Sequence, residues 1–231
     1  NERGTFIFNS KDLCMIEYIP GLIDAGIDSL KIEGRMKTAL YVATVARTYR
    51  KAIDDYLESP EKYRANLNWY QAEIAKCTYR QFTTGFYFGK PNEETQIYDN
   101  NTYVNEYRYL GIVEQVVRAD AENSAVAGSG ARLLAQITQR NKFCVGDEIE
   151  IMKPDGRNIP VRVQALYDEE MQPVDSAPHP KQKLYLELAA TKTEHGQQTQ
   201  PGRCDLVQQY DLLRVANNSQ QTIENEQFRR G

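Results

Sequence analysis

The chain has 231 residues, of which 41% are hydrophobic and 26% are charged, and its formal net charge is -4 at pH 7. These values are typical of a soluble globular chain with one large domain or two modest ones. They exclude a protein coated with positive charge for nucleic acid, although not a local basic groove. No apolar run is long enough to cross a bilayer and no secretory leader is visible. We therefore expect a cytoplasmic protein with no membrane partner.

The first elements are predicted to form a βα unit with parallel strands. Residues 5–8 are typical of a short buried strand, and Ser10 is a favourable N-cap for the apolar helical pattern that follows. Pro20 is predicted to interrupt that pattern, and a second short helix is predicted to end at a left-handed Gly26. Residues 27–32 return to a strand pattern. Because the chain opens at Asn1 in mid-strand, we expect it to be part of a longer protein.

Three charged residues surround the glycine that follows this strand. Lys31, Glu33 and Arg35 flank Gly34, and a long helical pattern with apolar spacings of three and four starts at Met36. In α/β enzymes, a strand end that runs into a helix is a common location for a site. Arg35 and the start of the helix could hold an anion there. The alternative is a surface turn with a Lys–Glu ion pair.

A second helix and an aromatic segment precede the predicted domain boundary. Residues 60–76 are predicted to be helical, with inward-facing side chains at Leu67, Tyr70 and Ile74 and a partly buried Trp69. Residues 79–89 are rich in aromatic side chains and unlike a regular element. They are either a loop that stacks on or covers a ligand or an aromatic plug between two domains. Residues 90–105 have the composition of a linker.

Beyond the linker the hydrophobic period becomes two, which predicts strands. About six short strands, polar turns and no intervening helix favour a small antiparallel β-barrel over residues 106–216. A strong turn signal at residues 154–156 follows the strand at residues 148–152. Residues 119–130 and 197–202 have loop composition, and residues 217–231 form a polar tail.

The cysteines and histidines form no recognised catalytic or metal-binding motif. The sequence has two histidines, His179 and His195, which lie in loops of the second domain, and there is no HExxH motif. The widely separated cysteines include no CxxC pair, so disulfides are not expected and each thiol is interpreted as a small buried hydrophobe. These cysteines are Cys14, Cys77, Cys144 and Cys204.

Several stretches together resemble the collagenase-like peptidase family U32. They are FNSKDLCMIEYIPGLIDAGIDSLKIEGRMKTALYVATVARTYRKAID, TGFYFG, NKFCVGDEIEIM and YDLLR. The resemblance implies an α/β plus all-β fold, in which residues 1–89 hold the last βα units of an incomplete TIM-type barrel. A small C-terminal antiparallel β-barrel then follows the linker. The rest of the first barrel would lie in a preceding segment.

The resemblance also implies an activity and a cofactor. Better understood relatives act in prephenate-dependent hydroxylation of the wobble uridine of tRNA or in oxygen-independent hydroxylation of quinones. Such relatives hold an iron–sulfur cluster through four cysteines, three of which would lie in the preceding segment. In the subgroup that this sequence most resembles, the SKDLC motif supplies one of these cysteines, which implies Cys14 as a fourth ligand in the full-length protein. In some other relatives the fourth ligand lies near the position of Val42, which cannot bind iron. The second domain would help to dock RNA.

The implied site residues fall into two groups. The catalytic candidates are Lys31, Glu33 and Arg35. Lys31 and Arg35 would contact an anionic substrate, and Glu33 would orient one of these cations or transfer a proton. Further candidates for binding the substrate or an anion are Ser10, Lys11, Arg35 and Arg80.

Two other functions stay open at the sequence level. The chain could belong to a peptidase that acts on a peptide substrate, in which Glu33 would act on water, although no Ser–His–Asp or Cys–His arrangement is recognisable. It could instead be a non-catalytic binding fragment. An incomplete barrel would expose apolar edges, so we also expect a homo-oligomer or a hetero-oligomer with a related family member.

Overall fold

A computed structural model of the chain describes residues 10–77, 80–92, 95–97, 106–119, 132–191 and 206–217. The chain divides into two compact units, Asn1–Tyr107 and Arg108–Gly231. In the described ranges, no helix has the length and apolar character needed to span a membrane. Outside these ranges lie the predicted strand at residues 5–8, most of the linker, the two predicted loops almost entirely and the polar tail beyond Asn217.

The first unit begins with a short strand and a short helix. Strand β1 is Asp12–Leu13, a 3-10 turn follows at Ile16–Tyr18, and helix α1 is Ile19–Asp24. Pro20 lies in the first turn of α1, where its missing N–H costs no hydrogen bond, so the prediction that it interrupts a helix is wrong. The N-cap prediction for Ser10 is also wrong, because Ser10 forms an antiparallel bridge with Gln96. Gly26 has φ of 76°, which confirms the left-handed turn after α1.

The predicted strand at residues 27–32 is absent, although the long helix after it is confirmed. Residues 27–34 are irregular, and both Ile27 and Ile32 are exposed. No neighbouring strand among the described residues satisfies their backbone groups, and an apolar run alone does not make a strand. Helix α2 is Ala39–Glu58, and it begins three residues after Met36 because the Thr38 hydroxyl accepts the Tyr41 N–H at 3.2 Å.

Helices α2 and α3 form an antiparallel hairpin around a single shared residue. Ser59 ends α2, and its hydroxyl caps helix α3, Pro60–Ile74, by accepting the Lys62 N–H at 3.0 Å. Tyr70 and Ile74 are buried, and Leu67 and Trp69 pack partly buried against the same core, as the spacing predicts.

The second strand of the first unit comes from the aromatic segment. Strand β2 is Phe82–Thr83, and it pairs in parallel with β1 in a two-stranded sheet. This pairing is not the predicted one, because the predicted parallel strands are residues 5–8, which lie outside the described residues, and residues 27–32, whereas β1 lies in a stretch with a helical pattern. The complete TIM-type barrel stays a prediction from the resemblance.

The second unit is the predicted antiparallel barrel. Strands β5, β9, β3, β4, β8 and β6 follow one another around the sheet, and pairing of β6 with β5 closes it. Strand β7 pairs with β6 outside this ring. The strand bounds are β3 Tyr107–Ala119, β4 Arg132–Gln139, β5 Glu148–Met152, β6 Asn158–Tyr167, β7 Pro173–Val174, β8 Lys183–Ala190 and β9 Leu212–Ala216. Alternate side chains of these strands fill an apolar interior.

Candidate functional site

Residues 10–14 lie between two later segments of the first unit and join them through the backbone. The Lys11 N–H donates to the Thr95 carbonyl at 3.0 Å, and the Cys14 N–H donates to the Thr83 carbonyl at 2.9 Å. Between these contacts, β1 pairs in parallel with β2. Polar residues near the start of the chain therefore meet the aromatic segment at one edge.

A groove of about 560 Å³ opens at this edge. Two of the predicted anion-binding residues, Ser10 and Lys11, line it together. The remaining lining residues are Leu13, Thr83, Gly85, Phe86, Tyr87, Pro91, Thr95 and Gln96. The wall combines an ammonium group with aromatic and apolar surface and a few polar groups, which suits a planar ligand that carries negative charge.

The aromatic segment presents its rings to solvent. Phe86, Tyr87 and Phe88 are 78%, 55% and 66% exposed. Gly85 and Gly89 bracket them with φ of 58° and 140°, values that side chains other than glycine rarely adopt. The turn therefore depends on both glycines, and it leaves ring faces available for stacking.

Asp12 links the aromatic segment to the start of α2. Its Oδ2 atom accepts the Arg80 N–H at 3.0 Å and lies 3.5 Å from the Nζ atom of Lys37. Arg80 is half-buried beside Asp12 and is not among the residues that line the groove. The structure thus separates Arg80 from Ser10 and Lys11, the other predicted anion-binding residues of this edge.

Cys14 is a half-buried thiol that faces α2. Its Sγ atom lies 3.8 Å from the hydroxyl of Tyr49, which also accepts the Met15 N–H at 2.8 Å. Burial raises the pKa of the Cys14 thiol above its usual range, so the thiol is protonated at neutral pH unless a metal displaces the proton. In the described part of the chain, no three metal-binding side chains come together.

Cys77 has a different environment from Cys14. It is 1% exposed, its thiol donates to the Ile74 carbonyl at 2.9 Å, and burial raises its pKa to about 12. This thiol is a packed core group, as the sequence interpretation of an isolated cysteine expects.

The predicted catalytic residues lie on an exposed turn. Glu33 accepts both the backbone N–H and the Nε–H of Arg35, each at 3.0 Å, and these contacts lower the pKa of Glu33. Lys31 is exposed on the same turn, outside the Glu33–Arg35 ion pair. Gly34 is needed here because a Cβ atom would lie 2.6 Å from Cγ2 of Val42. Arg35 lies three residues before Thr38, the N-cap of α2, and it follows an irregular segment and not a strand. The structure therefore does not place Arg35 at a strand-to-helix junction.

Comparison with known proteins assigns both units to one family. The family description "Peptidase family U32" matches residues 1–97, and "Peptidase family U32 C-terminal domain" matches residues 105–197. The chain belongs to peptidase family U32.

Relatives of this U32 chain carry two kinds of name. "tRNA hydroxylation protein P1" of Bacillus subtilis is 37% identical over 187 residues, which are 81% of this chain and 41% of the relative. An uncharacterized protease of Methanocaldococcus jannaschii is 39% identical over 111 residues, which are 48% of this chain and 26% of that relative. The chain therefore spans less than half the length of these relatives.

Among solved structures, the C-terminal domain of a U32 peptidase of Geobacillus thermoleovorans is similar to this chain. It is 23% identical, and the match covers 47% of this chain and 99% of that domain with a TM-score of 0.29.

Three residues at the groove edge of this U32 chain were not singled out from the sequence. Asp12 and Lys37 are 25 positions apart, so no local pattern links them. Gln96 lies in a stretch with linker composition, yet it lines the groove, and its buried Oε1 atom lacks a hydrogen-bond partner among the described residues. Only the pairing of distant segments reveals their proximity.

Proposed function

We propose that this U32 chain is part of a protein that hydroxylates tRNA at the anticodon wobble uridine. The observation that carries the proposal is the match of 37% identity over 81% of the chain to a relative named as a tRNA hydroxylation protein. The wobble uridine and the dependence on prephenate come from the family resemblance of the motifs. The groove adds chemical support, because its lining suits a nucleotide.

In this proposal the groove receives the target nucleotide. Phe86 and Tyr87 stack on the base, since an exposed aromatic ring can stack on any base. Lys11 pairs with a phosphate group, and Ser10 and Gln96 offer hydrogen bonds to the polar edges of the base. Stacking and a single cation are typical of recognition of an unpaired nucleotide in an RNA loop.

The exposed turn supplies a second charged surface. Glu33 is ionised at neutral pH, as an exposed carboxylate ordinarily is, and its contacts with Arg35 lower its pKa further. It would therefore accept a proton rather than donate one. Arg35 and Lys31 are exposed cations that would contact an anionic co-substrate.

Cys14 is proposed as one ligand of an iron–sulfur cluster in the whole protein. A half-buried thiol at an edge fits a single ligand position, whereas the described residues do not supply a four-cysteine set. Such a cluster, when bound, supplies electron transfer. Cys14 would contribute its thiolate, which the metal would stabilise against the effect of burial.

A first prediction concerns the groove. Phe86→Ala in the full-length protein should weaken binding of an anticodon stem-loop RNA by about 5- to 150-fold, which corresponds to the loss of one base stacked on an aromatic ring. Lys11→Gln should weaken binding and also reduce its salt dependence. Fluorescence anisotropy with a labelled stem-loop measures both effects.

Phe88→Ala is the matched control for the groove variants. Phe88 is as exposed as its neighbours but lies outside the groove, with its ring packed 4.6 Å from the ring of Tyr18. Equal losses in the Phe86 and Phe88 variants would contradict a specific stacking site. Hydroxylated uridine in cellular tRNA, quantified by mass spectrometry in a strain that carries each variant, tests the activity separately.

A second prediction concerns Cys14. Full-length protein with Cys14→Ser, purified without oxygen, should contain less iron and less visible absorbance than the wild type. Cys77→Ala is the control, because that thiol is buried and bonded to a backbone carbonyl. Unchanged iron content in the Cys14 variant would rule out this residue as a ligand.

A peptidase is the second candidate, favoured by the name of the relative from M. jannaschii. Glu33 would then activate water. Gelatin cleavage that depends on Glu33, together with unchanged tRNA hydroxylation in the groove variants, would favour this candidate over the first.

A further inference from the structure

One edge of the barrel carries a cluster of cations that the proposed reaction does not use. The cluster consists of Arg140, Lys142, Lys181 and Lys183, and we call it the basic edge. All four side chains are exposed. They come from the end of β4 and from the segment that leads into β8, which are neighbours in the barrel.

Backbone contacts hold these residues side by side. The Lys181 N–H donates to the Gln139 carbonyl at 2.7 Å, which places Lys181 next to Arg140. Lys183 pairs with Thr138 across the sheet. Gln139 is fully buried, so Thr138 and Arg140 point to the opposite, outer face of β4, on the same side as Lys183. Neighbouring strands lie about 4.8 Å apart, so these cations are close together.

The two segments that form the basic edge carry charge of one sign. The segments 138–142 and 179–183 contain no acidic residue, and His179 adds a further titratable base. Two carboxylates lie further along the same face: Glu114 accepts a hydrogen bond from the Thr138 hydroxyl at 2.5 Å, and Glu187 is four positions after Lys183 on β8. The basic edge is therefore a local concentration of positive charge in a chain whose net charge is -4.

Several other cations of the barrel are paired with carboxylates. Arg157 pairs with Asp155 at 2.7 Å, and Arg162 pairs with Glu148 at 2.7 Å. Within the described part of the barrel, no carboxylate lies within ion-pair distance of the four cations of the basic edge. Arg140 instead contacts the neighbouring Tyr109 hydroxyl. Unpaired, clustered cations beside an aromatic ring suit a polyanion rather than a neutral partner.

We propose that the basic edge docks the phosphate backbone of tRNA, an inference that rests on the proposed function. Lysine and arginine side chains neutralise phosphates and release counterions, which gives affinity that does not depend on base sequence. The barrel would thus hold the body of the RNA, while the groove of the first unit takes the target nucleotide. Net charge alone does not reveal this surface, because acidic residues elsewhere outweigh it.

The test is the salt dependence of tRNA binding by the full-length protein. Each lost phosphate contact should lower the slope of log affinity against log salt by about 0.7–0.9. When the salt concentration rises from 50 to 200 mM, the fold loss of affinity of the Lys181→Gln/Lys183→Gln variant should therefore be about 7 to 12 times smaller than that of the wild type. At low salt the variant should bind tRNA more weakly than the wild type. The matched control, Arg157→Gln/Arg162→Gln, removes the same charge from ion-paired positions and should keep the wild-type slope.

Three results would overturn the inference. The first is a wild-type slope in the Lys181/Lys183 variant together with normal tRNA hydroxylation, which would leave the proposed function standing. The second is an equal change in slope in both double variants, which would indicate an effect of net charge alone. The third is a full-length protein that binds vesicles containing phosphatidylserine but does not bind tRNA. If cellular tRNA also lacked the hydroxylated uridine in a strain that carries the wild-type protein, the proposed function would be rejected as well.

Discussion

Replacing Lys153 with methionine should lower the free energy of unfolding of the barrel by about 3–5 kcal/mol, because the change leaves a buried carboxylate without its counter-charge. Lys153 and Asp211 are each 1% exposed, and their Nζ and Oδ2 atoms are 2.5 Å apart. The Asp211 Oδ2 atom also accepts the Gln208 N–H at 2.7 Å, while its Oδ1 atom has no partner among the described residues. Without the ammonium group, one hydrogen bond would have to compensate for the desolvation of a full charge.

Urea titration followed by circular dichroism measures this loss. Arg157→Met is the matched control, since its ion pair with Asp155 is exposed and should contribute less than about 1 kcal/mol. The double variant Lys153→Met/Asp211→Leu should recover part of the stability, because neither charge is then buried. A loss below 1 kcal/mol in the single variant would show that water reaches this pair.

Asp55→Asn should destabilise the α2–α3 hairpin by about 2–3 kcal/mol at pH 7. Asp55 is 3% exposed, and its carboxylate accepts hydrogen bonds from Tyr70 at 2.5 Å, Asn66 at 2.9 Å and Lys51 at 2.9 Å. Burial raises the pKa of this carboxyl, but these contacts and Lys62 outweigh burial and hold the pKa at about 2 instead of 3.8. A lowered pKa means that the ionised form is bound more strongly in the folded state than in the unfolded state.

The pH dependence follows from the sign of this shift. The carboxylate stabilises the fold fully above about pH 4, and this contribution of roughly 2 kcal/mol is lost as the pH falls through about 2. The stability difference between wild type and Asp55→Asn should therefore shrink from pH 4 to pH 2. Asp54→Asn, in an exposed pair with Arg50, should change stability by less than about 0.5 kcal/mol. A wild-type-to-Asp55→Asn difference that is constant from pH 7 to pH 2 would contradict the role assigned to this carboxylate.

Asp55 and the buried Lys153–Asp211 ion pair both stabilise elements that carry the proposed sites. Asp55 fixes α3 against α2, the helix whose Tyr49 contacts Cys14 and Met15 at the groove edge. Lys153 and Asp211 join the start of β9 to the end of β5, and β9 leads to β3 around the barrel. Effects of surface variants on RNA binding are therefore best read beside a stability measurement of each variant.

Local patterns alone predicted the helices and most strands. The apolar spacing of three and four in residues 39–58 and 60–74 matches α2 and α3, because each helix buries one face. The alternating pattern predicted β5 with the observed bounds, and Gly156 with φ of 95° forms the turn that follows it. The structure confirms the predicted barrel. The prediction succeeded because alternating hydrophobicity and turn residues are visible within short segments of sequence.

Local patterns failed where the outcome depended on a distant partner. Residues 27–32 have the composition of a strand, but among the described residues no strand pairs with them. β1 instead pairs with β2, which lies about seventy positions later in a segment with no strand pattern. Backbone pairing over such a separation leaves no periodic signal in the sequence.

The sequence by itself determined the family, the helical hairpin and the barrel, because all three depend on motifs and periods that are contiguous in the chain. Only the tertiary structure decided which charged residues are buried, which remain exposed and which share a surface. Nothing in the sequence distinguishes Lys153 and Asp55 from exposed charged residues. They lie in the interior because oppositely charged or hydrogen-bonding partners from other segments contact them there. The groove beside Lys11 and the basic edge beside Arg140 likewise exist only because strand pairing brings remote residues together.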